Sequence, residues 1–163
     1  MNLLIPYPFS SIIRRMSIKT QLNDSMKEAM KSGDEVRKRT VRMALAAVKQ
    51  AEVDKRIELD DTAVMSLLQK EVKNRREALE EAKKANRTDL MEANEAEINV
   101  LQSFLPKAMP AEELRALVEA AIAETGAASP ADMGKVMKIV MPKVAGRAPN
   151  DMVSVTVREL LQK

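Results

Sequence analysis

From Ser17 to the C-terminus the apolar residues recur at intervals of three and four, and no stretch alternates apolar with polar over the length of a strand. Such spacing lines side chains along one face of an α-helix, whereas a half-buried strand needs a period of two. The chain is therefore expected to be all-α. Ile18, Leu22, Met26 and Met30 fall every fourth residue and predict a first helix with one apolar face, ended by Ser32-Gly33. Asp34 starts a second helix, with Val41, Ala44, Leu45, Val48 and Ala51 inward and an end near Asp54. A third begins between Asp60 and Thr62, carries Val64, Leu67, Leu68, Val72 and Leu79, and runs to about Ala85. The fourth starts at Thr88 or Asp89 and uses Leu90, Ala93, Glu97, Ile98, Leu101 and Leu105.

"LPKAMP", residues 105 to 110, interrupts this pattern with two prolines, and the residue ahead of each is pushed out of the helical region. A domain boundary is expected here, between an N-terminal four-helix domain over 17–105 and a C-terminal three-helix bundle over 106–163. In the second part Pro110 suits a first helical position, and Leu114, Leu117, Val118, Ala121 and Ile122 form a stripe that Gly126 stops. Ser129-Pro130-Ala131-Asp132 is a capping signature for the next helix. The last starts near Asn150 and turns Val153, Val157, Leu160 and Leu161 inward. Residues 1–16 have no basic residue ahead of their apolar run and no small-residue cleavage site, and are expected to be a disordered extension. No stretch resembles a membrane segment, so a soluble cytoplasmic protein is the default expectation.

The chain has no histidine and no cysteine. That removes the usual general base near neutral pH, the thiolate nucleophile and the commonest metal ligands, so no catalytic residue, metal or cofactor is expected. The one aromatic residue beyond the first ten positions is Phe104, which leaves no stacking platform for single-stranded bases. Net charge is only +3, so any nucleic acid would have to be met by a local cluster. Residues 126–150 offer one, with Lys135, Lys138, Lys143 and Arg147 against Asp132 alone.

"GK" at Gly134-Lys135 is not a phosphate-binding P-loop. Position 129 is Ser where that loop needs Gly, position 136 is Val where it needs Ser or Thr, and a helix instead of a strand precedes the turn. Met133, Val136, Met137, Val140 and Met141 make a helical stripe, with Gly134, Lys135 and Lys138 away from it. Gly134 bares the backbone in a first helical turn, where free N–H groups favour anions, Pro142 is expected to end or kink the helix, and Gly146 permits a positive φ. Such an edge suits the phosphates of folded RNA without reading a base sequence.

Two further basic clusters are read as solvated helix faces: Arg37, Lys38, Arg39 and Arg42, and Lys70, Lys73, Arg75 and Arg76, with partners such as Glu71 for Arg75. Arg37, Arg42, Lys73 and Arg76 form a secondary basic patch. The carboxylates of "EANEAEI", residues 92–98, lack the histidines of a di-iron bundle. The 12 methionines are expected mainly in the core, the alternative being a partner-binding groove.

"RTVRMALAAVKQAEVDK", "LLQKEVKNRREALEEAKKANRTDLMEANEAEINVLQSFLPKAMPAEEL" and "DMGKVMKIVMPKVAGRAPNDMVSVTVRELL" together resemble the YqeY-like, or GatB/YqeY domain, family over about residues 17–163. The closing segment from Gly134 through Arg147 is the most specific part; Pro110 stands where a Ser or Thr cap is usual and Phe104 where Tyr is common. The resemblance implies two helical domains, the second like the tail of the B subunit of the tRNA-dependent amidotransferase. It also implies tRNA contact at Gly134, Lys135, Lys138, Lys143, Gly146 and Arg147. A partner aminoacyl-tRNA synthetase or amidotransferase subunit is implied in turn. The amidase and ATP-binding parts of that enzyme have no match here. The expectation is thus a tRNA-binding accessory protein, with a protein-binding adaptor second and a glutamine-dependent carbon–nitrogen ligase third.

Overall fold

The computed structural model describes residues 16–162, so the extension expected over residues 1–16 lies almost wholly outside the described residues. Among the described residues there are seven α-helices and one 3-10 turn, with no strand. The fold class is all-α. The helices are α1 (Ile18–Ser32), α2 (Glu35–Lys55), α3 (Asp61–Lys84), α4 (Thr88–Gln102), α5 (Ala111–Thr125), α6 (Met133–Val144) and α7 (Asn150–Leu161), with the 3-10 turn Pro130–Asp132 leading into α6. The chain divides into two compact units, Met1–Val64 and Met65–Lys163, the division falling in the first turn of α3.

In the first unit, Ser17 caps α1 by accepting the Thr20 N–H, and Asp34 caps α2 by accepting the Arg37 N–H at 2.9 Å. Gly33, at φ +73°, makes the reversal between them. The buried stripe of α1 is Ile18, Leu22, Ser25 and Ala29, while Met26 is half-buried and Met30 is 63% exposed. The expected every-fourth-residue face is thus corrected. Four residues turn a helix through about 400°, so such a series drifts by about 40° per step, and alternating steps of four and three stay on the seam. Lys19 reaches Glu52 at 2.9 Å and Glu58 at 2.8 Å, and Glu52 also accepts the Leu59 N–H, which ties the loop after α2 back to α1.

In the second unit, Leu68, Val72 and Ala82 of α3 are buried, as are Ile98, Val100 and Leu101 of α4. Arg75 joins them at 7% exposure, which corrects its placement on a solvated face. It lies three residues after Val72 and seven after Leu68, on the buried seam itself, and it is held there by Glu71 at 2.7 Å and Glu97 at 2.8 Å. Leu90, expected inward, is 44% exposed.

The helices α5, α6 and α7 enclose a core of their own. Leu114, Val118 and Ala121 meet Val136, Val140 and Val144, and Val153, Val157 and Leu161, with Met109 and Ala148 added from the connecting segments. Valines form this spine, and Met133, Met137 and Met141 flank it half-buried. Pro110 is the cap residue before α5 and not its first helical residue. Pro142 does not end α6 either: the helix continues to Val144 and closes on Ala145 and Gly146, both in the left-handed region. Near a C-terminus a proline forfeits one backbone bond without disrupting several turns beyond it.

Candidate nucleic-acid interface

The first turn of α6 follows the 3-10 turn, and Asp132 organises it. Its carboxylate accepts from the Ala128 N–H at 3.2 Å and the Ser129 hydroxyl at 3.4 Å, and pairs with Lys135 at 2.9 Å. The lysine bond first, and the Ala128 amide after it, hold the Asp132 carboxyl below its ordinary range. Gly134 and Lys138 are exposed on the same helix, and Lys138 makes no ion pair among the described residues.

Gly134 differs from the other three glycines of the chain. Gly33, Gly126 and Gly146 all have positive φ, which favours glycine; Gly134 is helical, and a Cβ built there would meet nothing within 4 Å. Neither backbone geometry nor packing within the described residues requires glycine at this position.

The remaining cations of the expected edge are engaged. Lys143 pairs with Glu124 at 3.3 Å. Arg147 grips Glu113 through both terminal nitrogens, at 2.6 and 2.9 Å, and its Nε donates to the Lys107 carbonyl at 3.2 Å. The Arg147 carbonyl in turn accepts the Met109 N–H at 2.8 Å. Arg147 therefore fastens the connecting segment 105–110 to the turn after α6, and Gly146 lies in the same turn with its carbonyl accepting from Gln69 at 2.6 Å.

The secondary patch is distributed over both units. In the first, Arg37 donates to the buried Ser25 hydroxyl and lies 3.6 Å from Asp34, while Arg42 is exposed. In the second, Lys73 pairs with Asp151 at 3.0 Å and Arg76 is exposed. An open cleft of about 1270 Å³ brings Lys73 and Arg76 together with Gly146 and Arg147; Gly134, Lys135, Lys138 and Lys143 do not line it. The same cleft contains Lys70, Lys107, Met152 and Val155, which the sequence reading left unassigned to any site. For the last two, the three-residue step from Met152 to Val155, outside the stripe of Val153 and Val157, was the available signal.

The Arg147 bond holds the Glu113 carboxyl below the usual glutamate range. A depressed folded-state value means that this pair contributes stability above the unfolded value of about 4.3 and loses it as pH falls through the folded one. In a carbon-detected NMR titration Glu113 should titrate below an exposed glutamate, and Arg147→Gln should return it to the ordinary range.

A family model described as Yqey-like protein matches residues 19–161. The chain belongs to that family. Among relatives of this member are three proteins named "Altered inheritance of mitochondria protein 41, mitochondrial". The one from Lachancea thermotolerans is 34% identical over 63% of this chain and 55% of its own length. The one from Pyrenophora tritici-repentis is 31% identical over 86% of this chain and 79% of its own. The one from Eremothecium gossypii is 35% identical over 63% of this chain and 58% of its own. The chain thus spans little more than half of the first of these relatives. Their names correct the cytoplasmic expectation and point to mitochondria. That expectation rested on the lack of a recognisable signal, and such a lack carries no address. No helix among the described residues is long and apolar enough to cross a membrane.

Proposed function

We propose that this protein is an accessory factor that binds tRNA through the outer face of α6, in a mitochondrial setting, and performs no chemistry itself. In this reading the three-helix bundle after residue 105 is the part that faces the tRNA. Support comes chiefly from Gly134, a glycine in the first turn of a helix with open space before it and three exposed lysines on the same helix. Glycine costs helix stability relative to alanine, and here the missing side chain leaves the backbone of the turn open to close approach of a phosphate. The resemblance to the amidotransferase tail domain supplies the tRNA assignment, and a synthetase or amidotransferase subunit as companion. A chain with neither histidine nor cysteine lacks the usual means of activating a nucleophile, so amidation by the isolated protein is not expected.

Retention of unmodified tRNA on a filter, measured across a potassium chloride series, tests this. Contacts from Lys135, Lys138 and Lys143 should give a log–log slope of about −3. Lys138→Glu should weaken binding about tenfold and reduce the slope by about one. Gly134→Ala separates structure from function: melting should hold or rise while tRNA affinity falls. A salt-independent signal, or undiminished affinity in both variants, would overturn the proposal.

A further inference from the structure

We propose that the cleft along α3 and α7 is the docking site for an amphipathic helix with an acidic flank, supplied by a partner protein. The inference is independent of tRNA binding on α6. Helix α7 is apolar on two sides. Val153, Val157 and Leu161 are buried in the bundle, while Met152 and Val155 open into the cleft at 46% and 49% exposure. Leu105 and Pro106 extend this apolar floor from the connecting segment.

The opposite wall is α3, where Lys70, Lys73 and Arg76 recur every three residues and line the cleft. Lys73 is engaged by Asp151, whereas Lys70 and Arg76 make no ion pair among the described residues. Lys107 adds a cation from the connecting segment, and the acids in the lining are Glu77, Asp151 and Glu159. Glu77 and Glu159 make no ion pair among the described residues either, so Lys70, Arg76 and Lys107 leave a small excess of positive charge along α3 and the connecting segment, while the exposed apolar surface lies along α7. An occupant must present carboxylates on one flank and apolar side chains at three- and four-residue spacing on the adjacent face.

Two observations favour a protein helix over RNA. No aromatic side chain lines the cleft, so bases would find no stacking surface, and a floor containing methionine and valine suits aliphatic side chains. The volume, about 1270 Å³, also exceeds the ordinary small-ligand range and accommodates several side chains.

The test uses the full chain, isotopically labelled, titrated with synthetic helical peptides of about 18 residues. One carries leucines on one stripe and glutamates on its flanks, a second replaces every glutamate by lysine, and a third scrambles the first so that its leucines form no stripe. The first should bind in the micromolar range and shift the amides of Lys70, Met152 and Val155; the other two should bind at least tenfold more weakly. Val155→Glu should abolish binding with unchanged circular dichroism and unchanged tRNA retention, and Lys70→Glu/Arg76→Glu should favour the lysine peptide. Equal affinity for the acidic and basic peptides, no binding of the acidic one, shifts confined to residues outside the cleft, or displacement of the peptide by tRNA would each overturn the proposal.

Discussion

Arg75→Met is expected to lower the free energy of unfolding by about 3 kcal/mol, the low end for breaking a buried ion pair by removing one partner. The side chain is almost fully enclosed and donates to Glu71 and Glu97 from separate nitrogens. Without it, the carboxylates of Glu71 and Glu97 lose the cation they share and repel each other more strongly. The glutamates keep 26% and 15% of their exposure, so water relieves part of that repulsion, which places the effect at the low end of the range. Replacing the cation and Glu71 together, as Arg75→Met/Glu71→Leu, should recover part of the loss, because well-packed apolar residues often equal a buried pair in stability. Urea unfolding of the three proteins measures both quantities. A single-variant loss under about 1 kcal/mol would show that Arg75 behaves as a surface pair.

Gly146→Val should cost about 2 to 4 kcal/mol from two sources that add. The residue has φ +75°, a conformation especially unfavourable to β-branched side chains. A Cβ there would also stand 2.8 Å from the Met65 sulfur and 3.0 Å from its methyl carbon. Alanine should cost less, about 1 to 2 kcal/mol, since the end of a methionine side chain can swing aside while the backbone strain persists. The Gly134→Ala variant is the internal control, with neither term present. Thermal unfolding that places Gly146→Val within about 0.5 kcal/mol of the parent would remove the structural role assigned to this turn.

The helices were readable because their ends carry local chemistry: Asp34 as a cap, and Gly33 and Gly126 as left-handed stops, all act within a few residues of their own position. Seam positions were readable to within the drift of a helix, which is why Leu22 and Val157 were placed inward and Met30 was misplaced. Arg75 was misjudged because its residue type was weighed above its register. The charged edge shows a different limit. Counting cations along the chain finds Asp132 next to Lys135, but the partners of Lys143 and Arg147 lie 19 and 34 residues away and become neighbours only after the bundle forms. The cleft is likewise built from α3, the connecting segment and α7, and no single stretch of sequence contains it.

The internal pairing of Lys135, Lys143 and Arg147 has a kinetic consequence. Charges already answered by nearby acids project a weak field, and at physiological salt that field fades within about 8 Å of the surface. A partner meeting this edge will therefore arrive by ordinary diffusive encounter, at about 10⁵ to 10⁷ M⁻¹s⁻¹, without the steering that lifts strongly charged surfaces toward about 10⁹ M⁻¹s⁻¹. Selection among partners then falls to how long each complex lasts.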